Sequence, residues 1–223
     1  MTLHRQELQG GAMTVDKLYA ENLLASFLGL IIAGCTVSSC ASTSLRIVTP
    51  SNAPPDISSR WPTNDSAAHR GISIGGPSFI GHEIIAAADG VIVFADFNNV
   101  SGGRVRIFHG LNSNGQKLYT DHFHVFGQLL KNGDEVKRGQ TLGYMWRGRS
   151  NANLPHYHFI VTEEESTNEF IALNPRDFWF GIDQYKEKLA KGLDVGPFAI
   201  FCFNPNVNYP TEPIRFTYPV KCK

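Results

Sequence analysis

The sequence predicts a mostly β fold: an antiparallel β-sheet or sandwich core with short helices and an extended C-terminal appendage. Two observations carry this. Runs rich in β-branched and aromatic residues, 90–97, 104–109, 117–126 and 155–162, are bounded by Asp-Gly, Asn-Asn and Gly-Gly turn signals. The 21 glycines and 12 prolines among 223 residues favour short elements joined by many turns. Against that background the segment 183–191 reads as a helix, because it holds helix formers and is followed by Gly192, a suitable C′ residue.

Hydrophobic residues make up 42% of the chain and charged ones 18%, enough apolar surface to bury a core. The 20 basic residues are balanced by 20 acidic ones. A nucleic-acid partner normally demands a clustered basic excess, so none is expected.

The first element in the chain is an address rather than a piece of fold. Leu23–Ala33 is an apolar stretch of 11 residues, too short to span about 30 Å of hydrocarbon. It has the length of a signal-peptide core. Its end, Ile32-Ala33-Gly34-Cys35, resembles the lipobox of bacterial lipoproteins. The resemblance implies a signal peptide over 1–34, starting at Met1 or Met13, and a membrane lipid anchor on Cys35. Thr36 next to it implies the outer membrane, facing the periplasm. Cys40 ends a poorer second match. Residues 35–67, rich in Ser, Thr, Pro and Ala, are expected to be a flexible tether. In an exported protein Cys202 and Cys222 are expected to form a disulfide.

The chemistry lies in the middle. Seven of the eight histidines fall between His69 and His158. In the strand at 155–162, period two puts Tyr157, Phe159 and Val161 on one face and His156 and His158 on the other, the two imidazoles about 7 Å apart. The same rule places His122 and His124 together in 117–126, with Asp121 opposite. His82, in a turn, and His109, at a strand end, read as structural.

The order of the pieces adds more. His69-Arg70-Gly71-Ile72-Ser73 is followed by Ala87-Ala88-Asp89-Gly90-Val91, then His124, then Gly133-Asp134-Glu135-Val136 with Gly139-Gln140-Thr141-Leu142-Gly143, and finally His156-Tyr157-His158-Phe159. This ordered set resembles the lysostaphin-type zinc metallopeptidases, the LytM family, which cut the peptide bridges of bacterial peptidoglycan. The resemblance covers about 68–177 and implies a β core domain there, Zn²⁺ as cofactor and a peptidoglycan peptide as substrate. It makes His69 and His158 metal ligands and His156 a catalytic histidine. For the second catalytic histidine, His122 and His124 both present themselves; the family places it nine residues before the Gly of Gly-Asp-x-Val, which selects His124 before Gly133 and leaves His122 in the aromatic position.

One position departs. Ser73 stands where the family has its metal-binding aspartate, and a neutral hydroxyl is a poor zinc ligand beside a carboxylate. Zinc is therefore expected to be weak or absent. Asp65, Asp89, Asp96 and Asp121 are the nearest acids, and none replaces the missing ligand by spacing. The alternative function is a catalytically degenerate domain that binds peptidoglycan or activates a partner cell-wall hydrolase. Residues 178–223 form an extension in which Phe198, Ile200, Phe201, Phe203, Phe216 and Tyr218 are too apolar to be left in water, so it is expected to pack on the core. Lys131, Lys137 and Arg138 read as a solvated hairpin face, and Glu163–Glu165 as an exposed loop.

Overall fold

The computed structural model describes residues 47–50, 57–59, 70–75, 80–98, 102–127, 130–145 and 156–223. The expected signal peptide, Cys35, Cys40, Asp65 and His69 lie outside the described residues. In chain order the elements are β1 (Ile47–Val48), β2 (Ile57–Ser59), β3 (Ile72–Gly75), β4 (Glu83–Ile85), β5 (Gly90–Asn98), β6 (Gly102–Leu111), β7 (Lys117–Phe126), β8 (Glu135–Val136), β9 (Thr141–Met145), β10 (His156–Ser166), β11 (Glu169–Leu173), a 3₁₀ turn at Pro175–Asp177, α1 (Ile182–Ala190) and β12 (Phe198–Ala199).

Most strands join one sheet in the order β2-β3-β10-β7-β6-β5-β8, with β11 on β10 and the β4–β9 pair attached through β7. All of its pairings are antiparallel. The long strands are those with the densest β-branched and aromatic runs, as period-two packing on a half-buried surface requires. Their inward residues, among them Ile74, Ile92, Val105, Ile107, Phe159 and Val161, are almost completely buried.

The C-terminal residues enter the same core. Trp179, Ile182, Phe198, Ile200, Phe216, Tyr218 and Val220 are buried with it, and isolated bridges tie Val220 to Ile84 and Phe216 to Trp179. Phe159 stacks on Trp179 with ring centroids 5.8 Å apart. The helix begins one residue earlier than the composition suggests, at Ile182, because that side chain is fully buried and the first turn forms around it.

Several expectations are corrected. Within the span expected as a tether, Ile47–Val48 pairs in parallel with β12 and Ile57–Ser59 pairs with β3. Covering the outer edge of β3 gives its backbone groups partners that the edge would otherwise leave open. The acidic run Glu163–Glu165 is strand, not loop: Asn112 Nδ2 donates to Glu163 at 3.0 Å and the Tyr119 hydroxyl donates to Glu164 at 2.8 Å. Arg138 does not face water. Its guanidinium donates to the carbonyls of Ala87 and Arg215 and lies 4.5 Å from the Tyr209 ring centre, so it satisfies backbone acceptors where the C-terminal residues cross the hairpin.

Cys202 and Cys222 form a disulfide with Cα atoms 6.0 Å apart. It fastens the chain end beside Val220, which is buried in the core. Opening a loop of this size should cost roughly 3 kcal/mol. The expected result is a lower denaturant midpoint for Cys202→Ser/Cys222→Ser, with wild type falling to match it in reductant.

Candidate active site

The alternation in β10 is regular, and it sets the site. Tyr157, Phe159 and Val161 are fully buried, whereas His156 and His158 stand half-buried on the other face. Register aligns His158 with Ser73 of β3 and with Phe123 of β7. Ser73 is nearly buried, and its hydroxyl lies 3.1 Å from His158 Nδ1. His158 Nε2 lies 2.6 Å from the carbonyl oxygen of Arg70. A carbonyl only accepts, so Nε2 carries the proton, Nδ1 presents its lone pair, and Ser73 donates to it. The Arg70 carbonyl reaches the ring because residue 71 is glycine. At φ +101° a Cβ there would stand 2.4 Å from the Phe159 oxygen and 3.1 Å from His158 Nε2.

In β7 strict alternation fails, and the failure builds the cleft. His122 points inward and is completely buried, pairing in register with Phe159 and Val105. Period two would send His124 the same way. Instead His124 adopts φ +63°, and the β6–β7 register shifts at Gly103/Arg104. This bulge re-aims the side chain. His124 meets His156 with ring centroids 4.6 Å apart. The expectation that His122 and His124 share a face is therefore corrected, and His124 is the one that reaches His156 of β10. A non-glycine residue held in this left-handed region costs about 1–3 kcal/mol, and such strain concentrates at functional sites.

Asp121 faces the same side as His158, since it pairs with Ile160 in register, but it is committed elsewhere. Its carboxylate, 1% exposed, accepts from Arg104 Nε and Nη2 at 3.0 and 2.9 Å and from Arg106 Nε and Nη2 at 2.8 and 2.9 Å. Asp89 accepts from Lys137 Nζ and the Arg138 backbone N–H. Asp96 accepts from the following N–H, of Phe97. None of the three acts for the missing aspartate.

Behind the site runs a buried polar chain that sequence reading did not find. His109 Nδ1 is 2.7 Å from the Asp89 carbonyl, and Thr120 Oγ1 is 2.8 Å from His109 Nε2 and 2.9 Å from His122 Nε2. The Tyr157 hydroxyl is 2.7 Å from His122 Nδ1. The carbonyl at one end fixes every proton: His109 donates to it, Thr120 donates to His109, His122 donates to Thr120, and Tyr157 donates to His122. Burial pushes His122 down to about 3 and His109 down to about 4, so both rings are neutral. Tyr157, buried between the two outward histidines of β10, is thereby anchored through its hydroxyl.

Among the described residues no group of three His, Cys, Asp or Glu side chains could hold a metal ion. The described donors at the expected position are one imidazole and one neutral hydroxyl. His158 has the tautomer that a metal ligand needs, oriented by a backbone carbonyl. Ser73 supplies no charge.

One half-buried sheet face thus carries His156 and His158 of β10, with His124 of β7 against His156. A family model described as Peptidase family M23 matches residues 67–169. Over 100 residues the chain is 35% identical to the peptidoglycan DD-endopeptidase ShyC of Vibrio cholerae; the match takes in 44% of this chain and 22% of that relative, so the chain spans about a fifth of the relative's length. Among solved structures, the catalytic domain of lysostaphin from Staphylococcus simulans is 25% identical, covering 55% of this chain and 88% of that one, with a TM-score of 0.40. The catalytic domain of the prophage-encoded protein EnpA from Enterococcus faecalis is 23% identical, covering 60% and 98%, with a TM-score of 0.45. Residues 67–169 are thus similar to peptidase family M23.

Proposed function

We propose that this domain hydrolyses peptide bonds in peptidoglycan cross-links and that His124 and His156 handle the protons. The meeting of these two rings at 4.6 Å, on the face that also holds His158, carries the reading. Two adjacent imidazoles can divide the work of peptide hydrolysis. One takes a proton from the attacking water, and the other donates a hydrogen bond to the oxygen that becomes anionic in the tetrahedral intermediate. The bulge at His124 and the Tyr157–His122 hydrogen bond fix their positions before substrate arrives, so little reorganisation remains for the reaction step.

Zinc, where bound, would be held by His158 and His69 beside Ser73, and it would supply Lewis-acid polarisation of the scissile carbonyl. With a hydroxyl in place of a carboxylate the affinity is expected to be low. Ser73→Asp should raise zinc content and cleavage together. The gain in affinity is expected to be on the order of 10²-fold, since even an outer-shell partner is worth 10–100-fold. The full chain is assayed for bound zinc and for release of peptides from purified peptidoglycan. Stoichiometric zinc in the wild type, unchanged by Ser73→Asp, would mean that another ligand completes the site. A second reading is favoured by the Ser73–His158 hydrogen bond, which occupies the lone pair a metal would use: a domain that binds peptidoglycan and activates another cell-wall hydrolase. Wild type and Ser73→Asp that both bind peptidoglycan without cutting it would favour that reading.

The protein is further proposed to be exported and lipid-anchored at Cys35, in the outer membrane facing the periplasm. Metabolic labelling with a fatty acid should mark the wild type and be lost in Cys35→Ala; label persisting in the variant refutes the anchor.

A further inference from the structure

We infer that Arg104 is a carboxylate-binding subsite, which reads a free carboxylate on the substrate peptide close to the scissile bond. The inference rests on the endopeptidase reading and adds what that reading lacks, a determinant of which peptide is taken.

Register places Arg104, Phe123, His158 and Ser73 in one row across β6, β7, β10 and β3. All four therefore face the same side of the sheet. The guanidinium Cζ is 4.9 Å from the Phe123 ring centre, and that ring is 6.0 Å from the His158 ring, so the cation stands within about 11 Å of the site. An extended peptide covers that distance in about three residues.

The guanidinium is prepared for an anion. Phe94 flanks it at 5.3 Å in addition to Phe123. Its Nε and one Nη2 hydrogen are spent on Asp121 Oδ1, which sets the plane of the fork and leaves Nη1 without a hydrogen-bond partner among the described residues. The Arg104 side chain is 36% exposed, whereas that of Arg106, bound to the same carboxylate, is 12% exposed. Two guanidinium groups face one buried carboxylate, so the triad carries an excess positive charge, and Arg104 is the member that brings it to the surface. Asp96 lies across from Arg104 in β5 but forms no ion pair with it, and its Oδ1 accepts from Phe97 N–H. A planar, permanently charged donor flanked by rings matches a carboxylate better than any neutral polar group. Peptidoglycan stem peptides carry free carboxylates beside their bridged bonds, so substrate chemistry and site chemistry agree.

The test uses two synthetic cross-linked stem peptides, identical except that one has a free carboxylate and the other a carboxamide on a residue within about three positions of the scissile bond. Binding is measured by calorimetry on the full chain with His156→Ala, to prevent turnover, and cleavage on the wild type. The acid should bind about 10-fold more tightly than the amide, and Arg104→Gln should abolish the difference. Arg104→Lys should keep part of it. Arg104→Gln should fold, because Asp121 keeps both bonds to Arg106. Equal binding of acid and amide, with both cleaved by the wild type, overturns the subsite and leaves the endopeptidase standing. A preference surviving in Arg104→Gln overturns the assignment to this residue. If neither peptide is bound or cut, the endopeptidase reading fails, and the subsite falls with it.

Discussion

Replacing His156 by alanine is expected to lower peptide cleavage by about 10²–10⁴-fold, the usual contribution of a positioned acid or base. Stability should change by no more than about 0.5 kcal/mol, because the ring stands on the outer face of β10 and not in the core. His124 offers a sharper version of the same experiment. Its φ of +63° is a conformation glycine adopts without penalty. His124→Gly should therefore lose activity to a similar degree while gaining up to about 1 kcal/mol of stability. A residue present only for structure would not move the two readouts in opposite directions. The double variant should be little worse than either single one, since two groups acting on one proton inventory are not additive. Retention of activity in both single variants would remove the pair from the mechanism.

Much of this was legible in the sequence because two signals are local. Period two in β10 separated Tyr157 and Phe159 from His156 and His158, and the turn residues around β5, β6 and β7 marked strands that the structure contains. The face of His124 was not legible. A one-residue bulge reverses alternation, and the shift at Gly103/Arg104 depends on the partner strand, which local pattern does not report. Arg104-x-Arg106 opposite Asp121 is a visible alternation of charge, yet its meaning needed the β6–β7 register. Arg138 was misread for a related reason: a basic residue at a hairpin looks solvated until a distant segment, here Tyr209 and Arg215, is laid across it. The buried chain through His109, Thr120 and His122 draws on three strands and a turn, a long-range assembly that no spacing rule encodes.

That chain makes the largest stability prediction. His122 and His109 have folded-state values lowered to about 3 and about 4 from an ordinary 6.5, first through burial. Each ring is accepting on one nitrogen and donating on the other, so a proton added to either one destroys a bond as well as charging the core. The unfolded chain takes up these protons near pH 6.5, whereas the folded chain resists until pH 3–4. Stability from the pair is thus complete above pH 6.5 and declines as pH falls through the interval down to the folded values. By pH 5 His122 has lost roughly 2 kcal/mol and half-buried His109 less, so the pair together loses at most about 4 kcal/mol. The lowered carboxylates Glu83, Asp89 and Asp183 also lose their stabilising effect in acid, but only below their ordinary range near pH 4, so the interval from pH 6.5 to 5 isolates the histidines. Denaturant midpoints at pH 7, 6 and 5 should fall steeply, while imidazole ¹⁵N spectra of the folded protein keep His122 in its Nε2–H tautomer throughout. A flat profile between pH 7 and 5, or a His122 ring that titrates near 6.5 in the folded state, would contradict the neutral chain and with it the anchoring of Tyr157 between His156 and His158.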